Sequence, residues 1–156
     1  MNIEDDRQLA AAYNSLMTEI KQNNPAAAIE GVLIQEYILG GIELLLGCKR
    51  DPSFGPVLAF GAGGIYTEIL DDVSLGIPPL TREETKEMIS RTKISKILSG
   101  ARGQKAADME KLVDCLQNLA KLATENPQIR EIDLNPLLAF PDRVVAVDAR
   151  IITMNN

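Results

Sequence analysis

Histidine is absent from these 156 residues. That excludes a Ser-His-Asp triad, a His-ligated zinc site and any phosphohistidine carried by the sequence itself. Tryptophan is absent as well, and the aromatics are three Phe and three Tyr. The core must therefore be aliphatic, and base-stacking platforms for single-stranded nucleic acid are not expected. The two cysteines, Cys48 and Cys115, can make neither a disulfide framework nor a CxxC metal knuckle; set among apolar neighbours, both read as small buried hydrophobes. No apolar run reaches the roughly 18 residues of a membrane span. The opening MNIEDDRQLA is acidic where a signal peptide is basic, so a cytoplasmic protein without a membrane partner is expected. Positive charge is the minority: 16 Lys and Arg against 22 Asp and Glu give −6, which argues against nucleic acid as a partner.

What is present is ordinary for a globular chain, 46% hydrophobic and 24% charged, and the length fits a single domain. Leu9, Ala10, Tyr13, Leu16, Met17 and Ile20 recur at spacings of three and four behind the acidic cluster Glu4, Asp5 and Asp6, which predicts an amphipathic helix stopped at Asn23-Asn24-Pro25. From residue 31 the period shortens. Gly31–Ile38, Ile42–Lys49, Pro56–Phe60 and Ile65–Leu70 read as strands, broken by Gly40-Gly41 and Gly61-Ala62-Gly63-Gly64. Helices are expected over Thr81–Thr92, opened by a Thr81…Glu84 capping box, and over Ala106–Thr124, with Leu112, Val113, Leu116 and Leu119 on one face. Two last strands, Ile129–Ala139 and Arg143–Ile152, flank Pro141-Asp142. The fold class is α+β: a mostly antiparallel sheet packed on helices and ending in a β-hairpin.

That hairpin is the most informative stretch. A turn centred between Pro141 and Asp142 sets Asn135 directly opposite Asp148, and directly opposed side chains share a face at roughly 4.5–5.5 Å between Cβ atoms. Asp133, two residues before Asn135, points to the same face. Oxygen donors without His or Cys suit a hard ion such as Mg²⁺ held together with substrate phosphates; the plainer reading is the polar face of an edge hairpin. Gly61-Ala62-Gly63-Gly64 either turns a hairpin or aims backbone amides at a phosphate. Glu36 and Tyr37 end an apolar stretch that could offer backbone to a flat heterocycle, and Glu43 could accept hydrogen bonds from vicinal hydroxyls; two strands joined at Gly-Gly with solvated glutamates fit as well. Lys49-Arg50-Asp51 and Ser99-Gly100-Ala101-Arg102-Gly103 place cations beside turn residues, suited to a nucleotide phosphate or simply to water.

Together, GVLIQEYILGGIELLLGCKRDPSFGPVLAFGAGGIYTEILDDV (31–73), PLTREE (79–84), GARGQKAAD (100–108) and REIDLNPLLAF…VVAVDARI (130–151) resemble the ATP-grasp domain of the NDP-forming acyl-CoA synthetases. The ADP-forming acetyl-CoA synthetases belong to that family, and the β subunit of succinyl-CoA synthetase is more distantly similar. The resemblance implies the C-terminal portion of an ATP-grasp fold as one domain over residues 1–156, with the family's N-terminal, Lys-bearing subdomain absent. It implies ATP or ADP and Mg²⁺ as cofactors, with Asn135 and Asp148 as the metal ligands. Glu36 and Tyr37 would meet adenine, Glu43 would lie near the ribose, and Gly61, Gly63 and Gly64 would wall the nucleotide. Asp133, Arg102 and Glu68 would stand at the reacting end.

The activity implied is that of an acid–thiol ligase: phosphoryl transfer between ATP/ADP and a phosphohistidine supplied by a CoA-binding, phosphohistidine-bearing domain or subunit. A further chain supplying the missing subdomain is an implied partner, and activity of this chain by itself is not expected. Gly76 stands where members often carry Arg, which removes a phosphate-stabilising cation. Two other roles fit the same residues: a non-catalytic ATP-grasp remnant serving subunit interaction or regulation, and the synthetase-like part of a protein acetyltransferase.

Overall fold

The computed structural model describes residues 2–64, 72–100 and 105–154. The expected strand Ile65–Leu70, with Glu68, and the turn cation Arg102 lie outside the described residues. The chain divides into two compact units, Met1–Leu39 and Gly40–Asn156.

The first unit holds helix α1 (Asp6–Asn23). The Asp5 carboxylate caps it by accepting the Gln8 N–H at 2.7 Å, Asp6 and Lys21 lie at the ends that favour their charge, and Pro25 follows its C-cap. None of its residues is buried. The expected strand Gly31–Ile38 does not form: residues 26–41 take neither helix nor strand. A strand is made by its neighbour's hydrogen bonds, and among the described residues none pairs with this segment; Leu33 and Ile34 are 80% and 68% exposed. Within this unit Leu9, Tyr13, Leu16, Val32 and Ile34 line a groove.

The second unit is an antiparallel sheet backed by helices. Strands β1 (Ile42–Asp51), β2 (Gly55–Ala62), β3 (Val73–Gly76), β4 (Ile129–Ala139) and β5 (Val144–Ala146) run in the order β3-β2-β1-β4-β5, and β6 (Arg150–Thr153) also pairs with β4. Helices α2 (Arg82–Ser90), α3 (Ser95–Leu98) and α4 (Met109–Glu125) complete the described elements. Alternation decides the faces. Leu44, Leu46 and Cys48 of β1, Leu58 and Phe60 of β2, and Ile132 and Leu137 of β4 join one buried cluster with Met88 and Ile89 of α2 and Leu112, Val113 and Leu116 of α4. Each such large side chain removed from water contributes roughly 1.5–3 kcal/mol. Cys48 is buried and Cys115 half-buried, both free, and burial pushes both thiols up, so they behave as apolar groups. No helix among the described residues is long and apolar enough to cross a membrane.

The Thr81…Glu84 capping box forms in full: the Glu84 carboxylate accepts the Thr81 N–H at 2.7 Å, and the Thr81 hydroxyl accepts the Glu84 N–H at 3.2 Å. The backbone hydrogen bond from Thr81 holds the Glu84 carboxyl below the usual carboxylate range. A depressed carboxylate adds stability above its ordinary pKa, and this is lost as the pH falls through the lower folded value. Glu84→Ala is therefore expected to melt below the wild type at neutral pH. The gap should close on acidification, as thermal melts across the acid range would read; a gap unchanged at low pH would refute the charge contribution.

The terminal hairpin takes the expected register. The Phe140 N–H reaches the Arg143 carbonyl at 2.8 Å across the Pro141-Asp142 turn. Ala139 pairs with Val144, Leu137 with Ala146, Asp133 with Arg150 and Ile132 with Ile151. One register thus runs on both sides of residues 147–149, where the returning strand leaves the ladder. On its other edge β4 shifts register against β1 between Leu44 and Leu46, so that Asn135 and Pro136 together oppose Leu45. Such a bulge re-aims side chains locally.

Candidate functional site

The sheet face away from α2 and α4 carries the polar residues. β1 presents Glu43, Leu45, Gly47 and Lys49 there, since the residues between them are in the core. Cross-strand pairing puts Ala59 and Asp133 beside Gly47, and Val57 and Glu131 beside Lys49. Asp133 and Asn135 are both half-buried and Asp148 is exposed. The common register sets Asp148 opposite Asn135, next to the hydrogen bond from the Val147 N–H to the Pro136 carbonyl at 3.0 Å.

The glycine segment meets this row from the neighbouring strand. Gly63 donates its N–H to the Glu43 carbonyl at 2.9 Å. The Gly64 N–H points to Asn135 Oδ1 at 3.4 Å. Gly64 has φ +60, and a Cβ there would run into the Glu43 carboxylate; a Cβ on Gly63 would lie 2.5 Å from the Leu44 main chain, and one on Gly61 would collide with the Asp72 carbonyl. The glycines are thus needed for close backbone approach as well as for any phosphate. The structure brings Glu43, Gly63, Gly64 and Asn135 together, and the register flanking residues 147–149 sets Asp148 level with Asn135, with Asp133 two residues along the strand.

Glu36 and Tyr37 belong to the first unit, where both are exposed and line its groove. Gly61 pairs with Leu45 inside the sheet. Arg50, read as a turn cation suited to phosphate or water, does neither: its guanidinium donates to the carbonyls of Ala123 at 2.6 Å, Ile129 at 3.0 Å and Asn126 at 3.3 Å, closing the C-terminus of α4. At Gly76 a side chain would point toward Met88 and Leu80 under α2, away from the polar face. Arg150, passed over in the sequence, is directly opposite Asp133; the register that pairs Asn135 with Asp148 was signal enough to place it.

Among the described residues, no three or more His, Cys, Asp or Glu side chains gather as a metal site. A cation on this face would rely on Asn135 and Asp148, completed by oxygens from outside the chain.

Residues 1–153 match the family profile of the ATP-grasp domain. The β subunit of ADP-forming acetate–CoA ligase I from Pyrococcus furiosus is 43% identical over 152 residues, which is 97% of this chain and 66% of that subunit. ADP-forming acetate–CoA ligase I from Archaeoglobus fulgidus is 42% identical over 147 residues, 94% of this chain and 22% of that protein. Among solved structures, the dinucleotide-forming acetyl-coenzyme A synthetase 1 of Ca. Korarchaeum cryptofilum superposes with a TM-score of 0.84 at 36% identity, covering 99% of this chain and 67% of that one. That protein was solved in complex with coenzyme A and Mg-AMPPCP, its phosphohistidine segment pointing towards the nucleotide-binding site. The chain spans under two thirds of the length of both curated relatives. An antiparallel sheet packed on helices, matched along nearly the whole sequence, leaves one conclusion about its descent: the chain belongs to the ATP-grasp domain family.

Proposed function

We propose that the chain is the nucleotide-binding part of an ADP-forming acyl-CoA synthetase, acting in Mg²⁺-dependent phosphoryl transfer between ATP/ADP and a phosphohistidine supplied by another domain or chain. The observation that carries this reading is the Gly64 N–H directed at Asn135 Oδ1, with the register on either side of residues 147–149 setting Asp148 level with Asn135. Two oxygen donors, with no imidazole or thiolate near them, fit Mg²⁺, which takes one or two protein oxygens and completes its shell with water and phosphate. Once bound to phosphate oxygens, such an ion offsets their negative charge during transfer.

The chain's own contribution is positional. Asn135, fixed between the β4 bulge and the Gly64 N–H, holds its oxygen toward the row that Asp148 completes. Glu43, beside Gly64, is placed to accept hydrogen bonds from ribose hydroxyls. Glu36 and Tyr37 would offer backbone to adenine. The sequence has no histidine, so the phosphorylated residue comes from outside it, on a CoA-binding, phosphohistidine-bearing partner. The relative named as a β subunit supports a multi-chain assembly, and a segment completing the ATP-grasp domain is the second partner proposed.

Calorimetric titration of ADP into the intact assembly, with Mg²⁺ and with EDTA, tests this. We expect affinity at least tenfold higher with Mg²⁺. Binding that is absent, or equal in the two conditions, would refute the nucleotide reading.

A further inference from the structure

We infer that Arg150 binds the terminal phosphate of the nucleotide; the inference rests on the nucleotide reading above. Its place follows from register. Arg150 is the direct partner of Asp133 on β4, and directly opposed residues share a face. Asp133 in turn pairs with Gly47, on the face away from the helices. Arg150 therefore projects from the same face as Asn135, one row along the ladder, two residues after Asp148.

Three observations favour a ligand over a structural role. First, Arg150 is exposed, and among the described residues its side chain makes no ion pair or hydrogen bond, not even with the Asp133 side chain opposite. Other arginines of this unit are engaged: Arg50 on three carbonyls, Arg82 on Glu110 and Asp114, Arg91 on Glu87, and Arg143 over the Phe140 ring. Second, the face is otherwise acidic around the metal row, with Glu43, Asp133 and Asp148. A polyphosphate placed there meets like charge unless a cation answers it. A guanidinium does so with a two-pronged fork that matches phosphate oxygens. Third, distance separates it from the other cation on the face. At about 3.3 Å per residue, the Asp133–Arg150 row lies about 7 Å from Asn135, while the Glu131–Lys49 row lies about 13 Å away. A long side chain spans the first gap and not the second.

The test uses the intact assembly and three variants, titrated with Mg-AMPPCP and with AMP, and checked by thermal melts. Arg150→Gln is expected to weaken Mg-AMPPCP at least tenfold and AMP less than twofold, since AMP lacks the outer phosphates. Arg150→Lys, which keeps the charge without the fork, should recover part of the loss, and Lys49→Gln should stay within twofold of wild type. Mg-AMPPCP affinity unchanged in Arg150→Gln, or lost to the same factor as AMP, overturns the assignment while the nucleotide reading stands. Absence of Mg-AMPPCP binding by the wild type overturns both.

Discussion

Arg50→Met is expected to unfold about 6–12 °C below the wild type, a loss of about 3 kcal/mol. The last four carbonyls of any helix lack partners within it. α4 has no basic residue in its own last turn. Its Leu122 carbonyl takes the Asn126 side-chain amide at 2.9 Å, and its Ala123 carbonyl is answered from β1 by Arg50 at 2.6 Å. The same guanidinium holds the Asn126 and Ile129 carbonyls, so one half-buried side chain fastens the helix end, the following turn and the first residue of β4. Methionine keeps the aliphatic stem but leaves three carbonyls to whatever water reaches them. Arg50→Lys keeps the positive charge near the negative helix end but has no fork, and should lose about half as much. Thermal unfolding followed by circular dichroism reads both. A melting point within 2 °C of wild type for Arg50→Met, at an expected sensitivity of roughly 2–4 °C per kcal/mol, would show that solvent replaces the guanidinium without penalty.

Arg50 also marks where the sequence stops being readable. Its partners lie more than seventy positions away, and nothing in Lys49-Arg50-Asp51 distinguishes a helix cap from a phosphate ligand. Features set by neighbours in sequence were legible. The spacing of Leu112, Val113 and Leu116 placed α4, Thr81 and Glu84 announced their reciprocal hydrogen bonds, and Pro141-Asp142 set the hairpin register. Features set by distant partners were not. Gly31–Ile38 has the apolar composition of a strand but no strand paired with it among the described residues, and composition does not reveal whether a neighbour exists. β3, four residues long at the sheet edge, is too short to show alternation. Gly61-Ala62-Gly63-Gly64 reads as a hairpin turn or a phosphate cradle, and nothing in it announces that the closest constraints on Gly61 and Gly63 are the main chains of Asp72 and Leu44. The candidate site falls between these cases: the hairpin turn predicted the register found on either side of residues 147–149, while the approach of Gly64 to Asn135 needed β2 and β4 to flank β1.

The largest functional effect expected is loss of Mg²⁺-dependent nucleotide binding on changing that opposed pair. Asn135→Ala and Asp148→Ala should each lower the affinity for Mg·ADP by about 100-fold, since changing even the groups behind a metal's ligands costs 10–100-fold. The double variant should lose little more than the worse single one, because both residues act through one ion and such effects do not add. Folding should be nearly untouched. Among the described residues the Asp148 side chain is exposed without a hydrogen bond or ion pair, and that of Asn135 holds only the long 3.4 Å contact from Gly64, so stability should stay within about 1 kcal/mol of wild type. This separation makes the experiment decisive: an intact melt with lost binding points to the ligands rather than the scaffold. Affinity measured without Mg²⁺ should be the same in all four proteins, because on the proposed reading both residues act only through the ion. Full additivity would assign the two residues to independent sites. Retained Mg²⁺ dependence in Asp148→Ala would remove the carboxylate from the metal and leave the hairpin register as a feature of the fold alone.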